Sequence, residues 1–306
     1  MDAKTASTMT NIQPARVASA AWQTPAEIMP WPVQAPFRVA PGLSRLGGPE
    51  HDFDTLLWRH DQLPDYRAHK AERLRQGDGQ AGEADHRVLA AIAAQDKHQT
   101  GCTVAADPIA LSHHLPEDFV ILHDEPALGF VVRYVSVCFA SNWSPADKLG
   151  LGFAAVHAPV ADNRALLAAR AGIETIAFRQ APVRRHVWLL SPSPDLWQDP
   201  NERAPRWSEA LNNTANGKQP LLSQVHFRIE RQTTLPLPAI KRAVFFIHVM
   251  VCPLIDVLRV DASRANELAD ALDSMSPAFL AYRGMSTLRD PLTRALRAFA
   301  SSAATL

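Results

Sequence analysis

Phe130-Val131-Val132-Arg133-Tyr134-Val135-Ser136-Val137-Cys138-Phe139 is a run of β-branched, aromatic and small side chains carrying one charge. Branching at Cβ and aromatic rings suit a pleated strand better than a helix. Phe119-Val120-Ile121-Leu122 has the same character, and the intervening His123 to Gly129 contains Pro126 and Gly129. Two such runs joined by a short breaker segment predict an antiparallel hairpin. Further strands are expected at Val183 to Leu190, Val225 to Arg231 and Ala243 to Val251. Before them, Phe53, Leu56, Leu57 and His60 fall at helical spacing, so a helix is expected over residues 51–76. Gln76-Gly77-Asp78-Gly79-Gln80 reads as a loop, and Asp85 to Gln95 as a second helix with Val88, Leu89 and Ile92 on one face. Beyond the strands, Asp261-Ala262-Ser263-Arg264 opens a helix and Leu288 to Ala300 forms another. Strands grouped between helices predict an α+β fold with an antiparallel sheet.

The chain has 306 residues, 47% of them hydrophobic, enough for one large domain or two small ones. Lys+Arg and Asp+Glu both total 31, and no long basic run occurs, which argues against nucleic acid or an anionic membrane as partner. Cys102, Cys138 and Cys252 show no C-x-x-C spacing, which argues against a zinc ribbon, a plant-type iron–sulfur site and a disulfide scaffold. A reducing cytoplasm is the default compartment. The first residues lack an apolar core, so no signal peptide is read. The longest apolar run, Ala243 to Ile255, contains His248 and Pro253 and is too short to cross a bilayer. Residues 1–36, rich in Ala, Thr and Pro, read as a flexible arm.

After the first hairpin, Trp143 closes the apolar run and Ser144-Pro145 resembles the start of a short helix ending near Gly150. Asn163 to Ala171 reads as a helix stopped by Gly172. His157 stands between Ala155-Val156 and Ala158-Pro159-Val160. Two readings fit it: a core histidine bonded to a backbone carbonyl, or a neutral imidazole in an apolar wall serving as axial ligand to haem iron. Gly150-Leu151-Gly152-Phe153-Ala154-Ala155 matches G-x-G-x-x-A, but a helix before and a strand-like run after are the wrong context for a dinucleotide. In Phe227-Arg228-Ile229-Glu230-Arg231-Gln232-Thr233, Glu230 and Arg231 fall on opposite faces of a strand. They are either partners of a surface ion pair or pocket residues. In the second case Arg231 or Arg228 would meet an anionic group such as a haem propionate, and Glu230 a cationic substrate. Arg185 and Val187 share one face of their strand, which could equally be a solvated one. His113-His114 has no partners at ligand spacing and reads as a loop, Cys138 as a buried thiol, and Ser191 to Gln219 as a lid or surface loop. No G-x-S-x-G, H-E-x-x-H or P-loop pattern occurs.

At these residues the chain resembles the haem-binding α subunit of haem-dependent oxidative N-demethylases, a family that includes bacterial dimethylamine monooxygenases. The resemblance runs roughly from Pro36 to Val260. It is carried by Trp58, Asp61, Tyr66 and Lys70, by Glu117-Asp118-Phe119, and by Val137-Cys138-Phe139 with Trp143 and Asp147-Lys148-Leu149-Gly150. It continues through Val156-His157-Ala158-Pro159-Val160, Arg185 with Trp188, and Arg228 with Glu230-Arg231-Gln232-Thr233 and Leu237-Pro238. The resemblance implies a PAS-like antiparallel sheet cupping haem b over residues 116–260. A helical extension over 37–115 and C-terminal helices over 261–306 would flank it. It implies oxidation of a secondary N-methyl amine by dioxygen with release of formaldehyde. Electrons would come from NADPH through separate reductase subunits carrying flavin and a 2Fe-2S cluster. It makes His157 the iron ligand, places Arg228, Arg231, Arg185, Trp143, Trp188 and Lys148 around the cofactor, and gives Glu230 and Arg231 catalytic roles. A haem-PAS oxygen or redox sensor and a diverged non-catalytic subunit are the alternatives. The chain departs from the family pattern at Ala140 and Ala161, where prolines are usual, at Val187, where asparagine is usual, and at Thr234-Leu235-Pro236. Losing an asparagine removes a donor and an acceptor, so the amine is left open.

Overall fold

The computed structural model describes residues 23–46, 55–77, 79–126, 128–198 and 206–303. The chain runs β1 (Ser44–Arg45), α1 (Arg67–Gln76), β2 (Gln80–Gly82), α2 (His86–Thr100), α3 (Pro108–His114), β3 (Asp118–Glu125) and β4 (Gly129–Ser136). It continues through α4 (Phe153–His157), α5 (Arg164–Ala168), α6 (Arg170–Arg179), β5 (Val183–Ser191), α7 (Trp207–Ala215), β6 (His226–Leu237) and β7 (Arg242–Pro253). Four helices close it: α8 (Leu254–Val260), α9 (Ser263–Asp273), α10 (Pro277–Tyr282) and α11 (Arg289–Ala303). The strands form one seven-stranded sheet in the order β1-β5-β6-β7-β3-β4-β2, and every pairing is antiparallel. The expected α+β class and antiparallel sheet are therefore present. Among the described residues no helix is long and apolar enough to cross a membrane.

The two-residue period of the central strands gives the sheet two distinct faces. On one, Phe227 and Ile229 of β6 and Met250 and Cys252 of β7 pack beneath α8 to α11. Residues 23–33, expected as part of the arm, join this layer: Met29 and Val33 are buried, and Thr24 N donates to Val251 O at 2.8 Å. Farther along the same face, Phe119, Ile121, Val244 and Phe246 pack against Leu56, Leu57 and α2. On the opposite face, Val120, Leu122, Val132 and Val135 lie under Phe178 of α6 and Trp197.

Several local expectations are corrected. Residues 55–66 are not helical; Leu63 precedes Pro64, whose ring disfavours helical backbone before it, and α1 starts only at Arg67. Phe53 lies outside the described residues. The strand ending at Phe139 in the sequence reading ends at Ser136, because Phe139 N leaves the ladder to donate to Asp118 Oδ2 at 2.8 Å. The run after Gly150 is the helix α4 rather than a strand. Gly172 lies inside α6, where its surroundings would leave room for a side chain, so it stops nothing. His113 and His114 end α3 instead of lying in a loop. Within Ser191 to Gln219, Leu196, Trp197 and Trp207 are buried while residues 215–219 are exposed, so the described part of this excursion is interior at its start and surface at its end. The short edge strands β1 and β2 carry too few residues for a periodic signal.

A buried charge network holds α1 and the first half of the chain to the sheet. Lys70 Nζ lies 3.0 Å from Asp118 Oδ1 and donates to Glu117 O at 2.7 Å, with both residues fully buried. Glu117 accepts from Trp58 N at 2.8 Å and from Arg59 Nη1 at 2.9 Å, while His248 Nδ1 lies 3.3 Å away. Arg59 also donates to Asp96, which holds His114 Nε2 at 2.7 Å. Burial pushes the Glu117 pKa up, but Arg59 and His248 outweigh it and hold the carboxyl well below the usual range. Removing one partner of such a pair leaves the other charge buried alone. Lys70→Met is therefore expected to destabilise the fold by about 3–5 kcal/mol in urea unfolding, and a loss below about 1 kcal/mol would show the pair to be dispensable.

Candidate functional site

Register places the polar strand residues. Arg185 opposes Gln232 and Val187 opposes Glu230 across β5 and β6, so all four share one face with Arg228. The other alternation carries His186, Trp188 and Arg231 to the opposite face. There Trp188 meets the rings of Phe37 and Phe227 at 5.7 and 6.3 Å. Arg231 is fully buried and donates to the carbonyls of Thr55 and Leu56. The expectation that Arg231 and Trp188 line one pocket with Glu230 is corrected on that ground: the strand period puts them on the far side of the sheet.

The Glu230 face is preorganised by a chain of hydrogen bonds. Ser141 Oγ donates to Glu230 Oε1 at 2.6 Å, and Gln232 Nε2 donates to Oε2 at 2.9 Å. Arg228 Nε donates to Ser141 Oγ at 3.0 Å. The rest of its guanidinium donates to Asp195 O at 3.1 Å and to Phe139 O and Leu196 O, both at 2.8 Å. Burial lowers the Arg228 pKa to about 10, with Glu230 and Asp118 opposing the shift. Four of the five N–H donors of Arg228 are thus engaged in holding two loop segments to the sheet. Arg185 differs. It is half-buried and has no hydrogen bond or ion pair among the described residues; burial pulls its pKa down and the charge of Glu230 opposes that.

His157 ends α4. Its Nδ1 lies 2.8 Å from Phe153 O, and its ring centroid lies 4.2 Å from that of Phe153. Burial lowers its pKa, the Phe153 bond opposes this, and the charges of Arg185 and Lys148 lower it further. A carbonyl only accepts, so Nδ1 carries the proton and Nε2 keeps its lone pair, with no protein partner among the described residues. Of the two sequence readings of this residue, the backbone bond is present, and it leaves Nε2 as the ring nitrogen with a free lone pair. The segment carrying it runs from Gly152, bridged to Val131 of β4, to Asp162, which accepts from Ser276 Oγ at 2.6 Å. Asn163 Nδ2 donates to the His157 carbonyl at 3.0 Å. Trp143 is half-buried, with Lys148 Nζ 5.8 Å from its ring centroid. Cys138 is a buried thiol whose pKa burial pushes up to about 12, which makes it a poor thiolate ligand.

Arg185, Arg228, Glu230 and Gln232 thus share one face by register, Ser141 is bonded to Glu230, and the charge of Arg185 is among the causes that lower the His157 pKa. Sequence reasoning missed the site roles of Ser141 and Gln232. The two-residue period from Glu230 could have found Gln232; Ser141 gave no signal. Among the described residues no group of three or more His, Cys, Asp or Glu side chains could hold a metal ion. A single neutral imidazole suits an iron that brings its own macrocycle, and a half-buried, unpaired guanidinium suits a propionate. On both counts these residues fit haem. A cavity of about 330 Å³ beside Arg59 and His114 and another of about 480 Å³ beside Gln80 and Tyr134 are lined by none of the residues of this face.

A family model described as haem-dependent oxidative N-demethylase, alpha subunit-like, matches residues 86–293. It takes in β3 to β7 and His157, and reaches past Val260 into α11. No curated protein matches the chain.

His69, His123, His157, His186, His226 and His248 all have pKa values lowered by burial. The unfolded chain binds these protons first as pH falls, so stability is constant above the unfolded value and declines below about pH 6.5. Denaturant midpoints are expected to drop between neutral pH and about pH 5.5; equal midpoints would show that these imidazoles titrate normally in the fold.

Proposed function

This chain belongs to the haem-dependent oxidative N-demethylase, alpha subunit-like family, and on that premise we propose that it is the haem-bearing subunit of a monooxygenase that removes an N-methyl group from a secondary amine. The observation that carries this reading is His157: its Nδ1 is bonded to the Phe153 carbonyl, and its Nε2 has no protein partner among the described residues, with burial and the charge of Arg185 both lowering its pKa. We read the sheet, with residues 153–163 crossing from β4 to the C-terminal helices, as a PAS-like cup. Bound haem b would supply the binding and activation of dioxygen.

The chain's own residues have separable tasks. His157 Nε2 offers the axial lone pair, and the Phe153 carbonyl fixes its tautomer. Arg185 offers an anion partner for a propionate. Glu230 accepts the N–H of the amine in its ammonium form and holds it in place. Ser141 and Gln232 orient that carboxylate, and Arg228 positions Ser141. Trp143, Lys148 and Val187 form walls; Val187, where the family usually has asparagine, gives the amine an apolar neighbour. The methyl carbon would leave as formaldehyde. The family name implies further subunits, and we assign them the NADPH, flavin and 2Fe-2S chemistry that this chain does not itself supply.

Haem added to the purified chain is expected to give a Soret band, and a partner reductase with NADPH is expected to drive formaldehyde release from dimethylamine or a related amine. No Soret band would end the haem reading; a Soret band without formaldehyde from any secondary amine would favour the sensor or non-catalytic reading. Glu230→Gln is expected to leave the Soret band unchanged and to lower kcat/KM by about tenfold or more. A larger effect on haem uptake than on kcat/KM would move Glu230 from the amine to the cofactor.

A further inference from the structure

β2 is the last strand of the sheet, at the opposite end from β1 and β5. The cavity of about 480 Å³ lies there. It is lined by β2 and the Glu83 that follows it, by Leu89 of α2, by Asp107 and Pro108 at the start of α3, and by Tyr134 of β4. Both helices have their first N–H groups satisfied from within. Asp85 Oδ1 accepts from Arg87 N at 3.0 Å, and Asp107 Oδ1 accepts from Ile109 N and Ala110 N at 3.0 and 2.9 Å. The attraction of these helix starts for an anion is already met by their own carboxylates. What remains at the cavity is mostly acceptors. Asp107 Oδ2 makes no hydrogen bond among the described residues. Glu83 is exposed and has neither a hydrogen bond nor an ion pair among them. Gln80 spends its amide donors on Pro108 O at 3.1 Å and Ser136 Oγ at 3.2 Å. No lysine or arginine lines the cavity, and the neighbouring Arg87 is paired with Asp85 at 2.8 Å.

Two carboxylates alone would be an ordinary solvated surface. Tyr134 sets this one apart. It is 3% exposed and packs with Leu89, Leu111 and Phe119 in the core layer beneath α2 and α3. Its hydroxyl is buried and has no hydrogen-bond partner among the described residues. The Ser136 hydroxyl, two residues along the same face of β4, accepts from Gln80 instead. A buried hydroxyl without a partner is unfavourable, and folded proteins keep few of them. Tyr134 borders the cavity, so a ligand there can complete it. A metal ion is the wrong ligand, since no three side chains of the kinds that bind metals are grouped among the described residues. A primary ammonium has three N–H donors, which match Glu83, Asp107 Oδ2 and the Tyr134 hydroxyl. Leu89, Ala106 and Pro108 supply apolar surface for an alkyl body. We propose that this cavity is a binding site for a small organic cation, a primary ammonium carried on a short alkyl chain. The site involves neither haem nor the Glu230 face, and it stands or falls independently of the function proposed above.

The test is calorimetric titration of the purified full chain at low salt with three probes: n-butylammonium, tetramethylammonium, which carries the charge without an N–H donor, and butyrate. Butylammonium is expected to bind, tetramethylammonium to bind about fivefold more weakly or less, and butyrate not to bind. Glu83→Gln and Asp107→Asn, the second of which keeps the cap of α3, are each expected to weaken butylammonium by about fivefold or more. Tyr134→Phe is the sharper variant. It removes a hydroxyl that has no partner in the free protein, so its ligand-free melting temperature is expected at or above that of wild type while its affinity for butylammonium falls by about threefold or more. Glu230→Gln is expected to keep the butylammonium site that Glu83→Gln loses. The proposal is overturned if wild type binds no butylammonium, if butyrate binds as well, or if Glu83→Gln and Asp107→Asn both bind butylammonium as wild type does. It is equally overturned if Glu230→Gln abolishes all butylammonium binding, since that places the cation on the Glu230 face.

Discussion

A guanidinium buried in the middle of a sheet is the constraint on which the candidate site depends. Arg228 sits on β6 with almost no exposure and gives its donors to Ser141, Phe139, Asp195 and Leu196. An ionised side chain in that position is tolerated only when its donors are satisfied. Both loop segments must therefore stay against the sheet. That requirement seats Ser141, and Ser141 aims Glu230. The same bonds keep Leu196 and Trp197 in the interior, in a region whose polar composition reads as surface.

A second buried network does comparable work farther along the sheet. Lys70, Asp118 and Glu117 join α1 and the Trp58 segment to β3 and β7. Asp118 also joins this network to the Arg228 site, accepting from Phe139 N while Arg228 donates to Phe139 O. The place of these residues in the family pattern is explained by the fold: each satisfies a buried charge or backbone group that would otherwise be stranded. Arg231 belongs with them. Its neighbours are the Thr55 and Leu56 carbonyls, and its role is to close the chain over the sheet.

The antiparallel sheet was legible because strands of eight to twelve residues carry their own period. The opposite orientations of Glu230 and Arg231, and the shared face of Arg185 and Val187, followed from that period alone. The helix expected over residues 51–76 was misread because Leu56 and Leu57 are buried by β7 and α2 from an irregular backbone, and apolar spacing does not distinguish the two. His157 stood out by its apolar neighbours, yet its helix was read as a strand, since five residues hold barely one turn.

The central claim is that His157 Nε2 is the protein's ligand to haem iron. Replacing the side chain by glycine and supplying free imidazole tests it most directly, because imidazole can refill the space without restoring the covalent tether. Haem-loaded His157→Gly should show an altered Soret band that returns to the wild-type spectrum as imidazole is titrated in. A variant whose spectrum already equals wild type before imidazole is added would contradict the assignment and place the ligand elsewhere in the chain.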